Sequence, residues 1–126
     1  MSHSVIPVMH RDSSNYKIHG VLVATGAITP AETEELRRSL DSATYYLPLQ
    51  VGLDFFGTDW PSYGSCDDDH PWHEMLVDRI TVTDDGDDSW FGGEHVEHVG
   101  PVSEFVRRIA AAAAAGWDEK RYTPTA

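Results

Sequence analysis

The stretch Asp67 to Met75 reads DDDHPWHEM: three aspartates, two histidines, a glutamate and a tryptophan within nine positions. Imidazole and carboxylate are the groups that divalent transition metals bind, and the same groups pass protons in acid–base catalysis. Further along, EHVEH holds a second pair, His95 and His98, with the spacing of His70 and His73. If the two pairs converged, His70, His73, His95 and His98 would surround one ion, zinc or another divalent metal, whose bound water would serve in hydrolysis. Local spacing alone does not build such a site. Pro71 biases His70 toward an extended conformation, so His70 and His73 do not share a helical face. On a strand, residues three apart point to opposite sides.

Each motif that would narrow the chemistry is incomplete. His73-Glu74 begins HExxH, but Val77 stands where the second histidine belongs. His95-Val96-Glu97 matches the first part of a zinc-deaminase signature without the PCxxC that must follow. Aligning Gly86 with the glycine of a calcium loop puts Thr81 first and Gly92 last, where an acid and a bidentate glutamate are required. There is no G-x-S-x-G elbow, and Gly92-Gly93 is followed by Glu94, which repels phosphate. Cys66 is the only thiol, and Asp67, Asp68 and Asp69 beside it disfavour the thiolate.

Charge points elsewhere. The chain has 126 residues with 21 acidic against 9 basic side chains, a net charge of −12. Such a field repels nucleic-acid backbones and anionic lipid, so neither direct nucleic-acid binding nor membrane binding is expected, and it attracts a basic protein surface. The densest acidic patches are Asp67, Asp68 and Asp69, and then Asp84, Asp85, Asp87 and Asp88. Trp60, Tyr63, Trp72 and Trp90 lie close to them in sequence and are of the types that anchor interfaces. Adaptation to high salt, or a GC-rich genome, would produce the same excess of aspartate with no partner implied. A single cysteine argues for a reducing compartment such as the cytoplasm, and MSHSVIPVMHRD has no apolar h-region of a secretory signal.

These residues need a framework, and the hydrophobic pattern outlines one. Residues 1–15 are polar, contain Pro7 and show no period, and read as a flexible arm. Tyr16–Thr25 reads as a strand around Val21-Leu22-Val23. In ITPAETEEL, Thr29 is a natural N-cap, Pro30 falls at N1 and Glu32 at N3, which predicts a helix from Pro30 to about Ser42. Thr44–Leu53 reads as a strand bent by Pro48, fit for a sheet edge. Alternation over His73–Thr83 predicts another strand, with Leu76, Ile80 and Val82 on one face. Asp85-Gly86 suits a hairpin turn, with a short strand near Trp90 after it. Pro101 opens a second helix whose stripe is Val102, Phe105, Val106 and Ile109, closed by Gly116 with Trp117 folding back.

The expectation is an α+β two-layer sandwich in the order βαβββα, a small mostly antiparallel sheet of about four strands packed by two helices. The domain is placed at residues 16–117, with a C-terminal tail at 118–126. The expected role is a small acidic non-catalytic interaction module without a cofactor, an inhibitor or nucleic-acid mimic acting on a basic protein, or a subunit of a homo-oligomer through the edge near Pro48. The alternative is a divalent-metal hydrolase or sensor.

Overall fold

The computed structural model describes residues 2–11, 17–55, 71–84 and 95–122. Its elements run β1 (His3–Arg11), β2 (Lys17–Thr25), α1 (Pro30–Ser39), β3 (Tyr45–Tyr46), β4 (His73–Met75), β5 (Thr81–Thr83), β6 (His95–Pro101) and α2 (Val102–Ala115). The fold is α+β: the described residues form a six-stranded sheet in the order β3-β4-β1-β2-β6, with β5 pairing β1 beyond the end of β4. The sheet is mixed, since β6 runs parallel to β2 while the other pairs are antiparallel. Parallel neighbours require a long crossover, and here the crossover contains everything from α1 to β5.

The first correction concerns the amino terminus. Residues 3–11 are not an arm but the strand on which the sheet is built. β1 pairs with β2 along its full length, from His3 opposite Thr25 to Arg11 opposite Lys17. Its other edge takes β5 at His3–Val5 and β4 at Val8–Met9. Val5, Ile6, Val8 and Met9 are buried on alternate faces, so the strand lacks the polar alternation of a half-exposed one. Pro7 does not break it. The Pro7 carbonyl accepts from the Leu76 amide at 2.9 Å, so the proline nitrogen also faces the β4–β5 side. There the partner chain leaves the ladder in a 3-10 turn, Val77–Arg79, and no donor is missed.

The helix-side face of the sheet carries Ile6, Val8, Ile18, Leu22, Ala24 and Met75, which form one buried cluster with Leu36 and Leu40 of α1 and with Phe105, Val106 and Ile109 of α2. On the opposite face Val5, Val21 and Val23 form a smaller cluster. The predicted cap of α1 is present in full. Thr29 Oγ1 accepts from the Glu32 amide at 3.1 Å, and Glu32 Oε1 accepts from the Thr29 amide at 3.0 Å. Glu32 also accepts from Ser103 Oγ at 2.8 Å, tying α1 to α2. The helix ends at Ser39, short of the expected Ser42. Ser42 and Ala43 adopt positive φ in a tight turn whose Asp41 carbonyl accepts from both the Thr44 and Tyr45 amides.

Two other expected strands are shortened. Tyr45–Tyr46 is a strand, but Pro48 starts a 3-10 turn over Pro48–Val51 that ends at Gly52 with φ 71°. His73–Thr83 is split into β4 and β5 by the Val77–Arg79 turn, so Val77 is buried and Val82 is 49% exposed, against the predicted faces. In α2, Pro101 caps and Val102 begins the helix. Gly116 takes the expected positive φ, and Trp117 Nε1 donates to the Ser39 carbonyl at 3.0 Å. The start of the predicted tail is also held, for the Asp118 amide donates to Gln50 Oε1 at 3.0 Å. Asp85-Gly86 and the strand expected near Trp90 lie outside the described residues. No helix among the described residues is long and apolar enough to cross a membrane.

Ser4 joins sheet to helix. Fully buried, its hydroxyl donates to the Gly26 carbonyl and accepts from the Ile28 amide, both at 2.8 Å, and so sets the loop that delivers Thr29 as a cap. Replacing it leaves two backbone groups short of a partner. Ser4→Ala should therefore cost about 1–3 kcal/mol in urea denaturation, while deletion of residues 2–11 should abolish the cooperative transition altogether.

Candidate functional site

Two histidines, His10 and His73, meet at one end of the helix-side face. Continuing the β1–β4 register past Met9–Glu74 places His10 beside His73, and β3 places Tyr46 beside His73 on its other edge. The result is a row across the sheet: Tyr46, His73, His10, Ile18. His73 is 0% and His10 2% exposed. Their ring centroids are 5.4 Å apart at an interplanar angle of 73°, and Tyr46 meets His73 edge-on at 5.7 Å. Phe55 stacks on His73 at 4.8 Å and meets His10 edge-on at 5.5 Å. These offset and edge contacts are the favourable arrangements of aromatic rings.

Phe55 is brought there by a carboxylate. Glu97 on β6 lies beside Leu22 and accepts from the Asp54 amide through both of its oxygens at 3.2 Å, fixing the residue before Phe55. Arg108 of α2 donates to the Val51 carbonyl at 3.3 Å and holds the same segment from the helix side. Burial pushes the Glu97 carboxyl above its ordinary value of 4.5. The Asp54 amide opposes that rise, the Asp54 carboxylate adds to it, and the Arg108 guanidinium again opposes it. The Tyr46 phenol is also raised, by complete burial and then by the negative charge of Glu97. It stays protonated across the physiological range.

The remaining predicted residues fall elsewhere. His95 and His98 are on β6, which β1 and β2 separate from β4. Three strand spacings of ~4.8 Å amount to ~14 Å between the β4 and β6 backbones. Opposite Gly20, His95 shares the helix-side face, whereas His98, opposite Val23, lies on the other. Sheet order thus holds His73 apart from both. Among the described residues, no group of three or more histidine, cysteine, aspartate or glutamate side chains is arranged to hold a metal ion. Trp72 is half-buried and packs edge-on against Trp117 at 6.3 Å. Asp84 is exposed and accepts from Ser2 Oγ at 2.8 Å. Trp60, Tyr63, Asp67, Asp68, Asp69, His70, Asp85, Asp87, Asp88 and Trp90 lie outside the described residues.

Sequence reasoning missed His10, Tyr46 and Glu97. His10 sits in what reads as a tail, and only its register opposite β4 reveals it. Glu97 was visible within EHVEH, but nothing local marks it as the acceptor for a backbone amide more than forty residues upstream. The rings of this row are buried and pack against one another within the core. Comparison with protein-family models, with curated proteins and with solved structures finds no match to this chain.

Two outcomes follow from this geometry. His73→Ala should lose about 2–4 kcal/mol by opening a cavity among rings, and His73→Phe should recover most of it, as read by urea denaturation. For Glu97, a raised carboxyl favours folding while it is protonated. That contribution is full below the unfolded-state value near 4.5 and is lost as pH rises through the folded-state value. Glu97→Gln keeps an acceptor for Asp54. It should be more stable than the native chain at pH 7 and level with it below pH 4, measured by urea midpoints at both.

Proposed function

We propose that this protein is a non-catalytic interaction module that engages a basic protein surface through its aspartate-rich segments, as an inhibitor or nucleic-acid mimic would. One observation carries the reading. Segments 56–70 and 85–94 contain Asp59, Asp67, Asp68, Asp69, Asp85, Asp87, Asp88 and Glu94 but no lysine or arginine. All 9 basic residues of the chain belong to the described framework. Negative charge is thus concentrated in two stretches, next to Trp60, Tyr63, Trp72 and Trp90, while the framework approaches balance. Complementary potential of this kind speeds encounter with a basic partner, and aromatic anchors supply the buried contact that slows departure.

The competing reading, a divalent-metal hydrolase or sensor using His70, His73, His95 and His98, requires the framework to rearrange. His73 would have to leave the stack with Phe55 and Tyr46, and His98 would have to reach around an edge of the sheet. Homo-oligomer formation through the sheet edge remains compatible with β3, the terminal strand of the order.

The test uses a lysine- and arginine-rich peptide and a folded nucleic-acid-binding protein as probes, in surface plasmon resonance across a salt series. Asp67→Asn with Asp68→Asn and Asp69→Asn, or Asp85→Asn with Asp87→Asn and Asp88→Asn, should lower the association rate by about tenfold at low salt and flatten its salt dependence. Double-stranded DNA should compete. Binding unchanged in both triple variants defeats the reading. So does a stoichiometric metal in untagged protein that is lost in His73→Phe. A steep rise of the urea midpoint in molar salt would instead identify the charge as adaptation to salinity.

A further inference from the structure

The sheet face turned away from the helices carries a groove of ≈ 340 Å³ near the β1–β2 turn. Among the described residues its lining sets the bases Arg11, Lys17 and Arg79, with the His19 imidazole beside them, against one carboxylate, Glu74, and Met9 and Leu76 supply the apolar part. Strand register explains the convergence. Arg11 is directly opposite Lys17, and His19, two residues further along β2, is opposite Met9 on the same face. Arg79 reaches the groove from the Val77–Arg79 turn that separates β4 from β5. Glu74 Oε2 lies 3.3 Å from Arg11 Nε, and Lys17, His19 and Arg79 are exposed.

Two features set this surface apart. It is cationic on a chain whose net charge is −12. It also places Arg11 and Lys17 face to face across a strand pair, with Arg11 ion-paired to Glu74, so that Lys17 and Arg79 present the exposed positive charge. Exposed like charges gathered in a concave place create a potential that attracts an anion.

We propose that this groove binds the phosphate group of a small molecule. A doubly charged oxyanion balances the exposed charges of Lys17 and Arg79, and the guanidinium fork of Arg79 matches its oxygens with paired N–H donors. The volume falls in the range of small-ligand sites, and Met9 and Leu76 offer a non-polar surface to the rest of the molecule. A nucleic-acid backbone is disfavoured because the acidic remainder of the chain repels a polyanion. This site is separate from the aspartate segments and does not depend on what they bind.

Isothermal titration of the full chain with inorganic phosphate at fixed ionic strength provides the test, with thermal denaturation in parallel. Saturable binding should be weakened about tenfold by Lys17→Gln and by Arg79→Gln, the change expected on loss of one charge-assisted contact. It should be untouched by Arg38→Gln, an exposed base on α1 away from the groove. Without phosphate, Lys17→Gln should melt no lower than the native chain, since Lys17 is exposed, so weaker binding cannot be ascribed to misfolding. Absence of saturable binding overturns the proposal, as does equal binding in all four proteins. Preference for an aspartate-rich peptide or for double-stranded DNA over phosphate overturns it as well.

Discussion

Strand β1 is hydrogen-bonded along both edges, and the rest of the molecule takes its position from that double pairing. On one side β2 accompanies it for nine residues. On the other, β5 and β4 take its two ends in turn. The break between them coincides with Pro7, the one residue of β1 that has no amide hydrogen to offer there. The sheet therefore accommodates a proline at its centre without leaving a donor unmatched. The same register aligns His10 with His73 and Arg11 with Lys17, so the buried ring cluster on one face and the charged groove on the other are consequences of one pairing.

The two faces have opposite characters. Helices α1 and α2 seal the first, and the polar groups beneath them are enclosed by rings or tied to backbone: Ser4 to the Gly26–Ile28 loop, Glu97 to Asp54. The second face has a small valine cluster at its middle and ionisable groups toward one end. Burial makes side chains on the first face contributors to stability. On the second, Val5, Val21 and Val23 are buried as well, while Lys17, His19 and Arg79 are exposed.

How much of this was legible in the sequence depended on whether the deciding signal was local. The α1 cap and Gly116 at the end of α2 rest on contacts within a few residues or on one residue's backbone freedom, and both were readable, whereas Trp117, expected to fold back over the end of α2, meets Ser39 and Trp72 from distant parts of the chain. β2 was readable from its apolar run. β1 was not, because a strand buried on both faces loses its alternation and its proline looks like a break until the partner's turn is known. The split of residues 73–83 was hidden for the matching reason, since it answers a residue in another strand. His73 was singled out as a metal ligand, and the partners it meets in the fold, His10, Tyr46 and Phe55, come from three distant parts of the chain. Spacing along the sequence carries no information about them.

The parallel pairing of β6 with β2 has a kinetic consequence. The antiparallel pair β1–β2 joins segments that are close in sequence and can assemble within microseconds, but an isolated two-stranded ribbon barely holds together in water. Its outer edges are completed only by segments that lie some fifty to eighty residues further along the chain. Bringing those segments in means closing long loops before their contacts compensate for the lost freedom, so the barrier to reaching the native state is set by distant strands meeting an early ribbon. Mutations within the ribbon should slow the forward reaction.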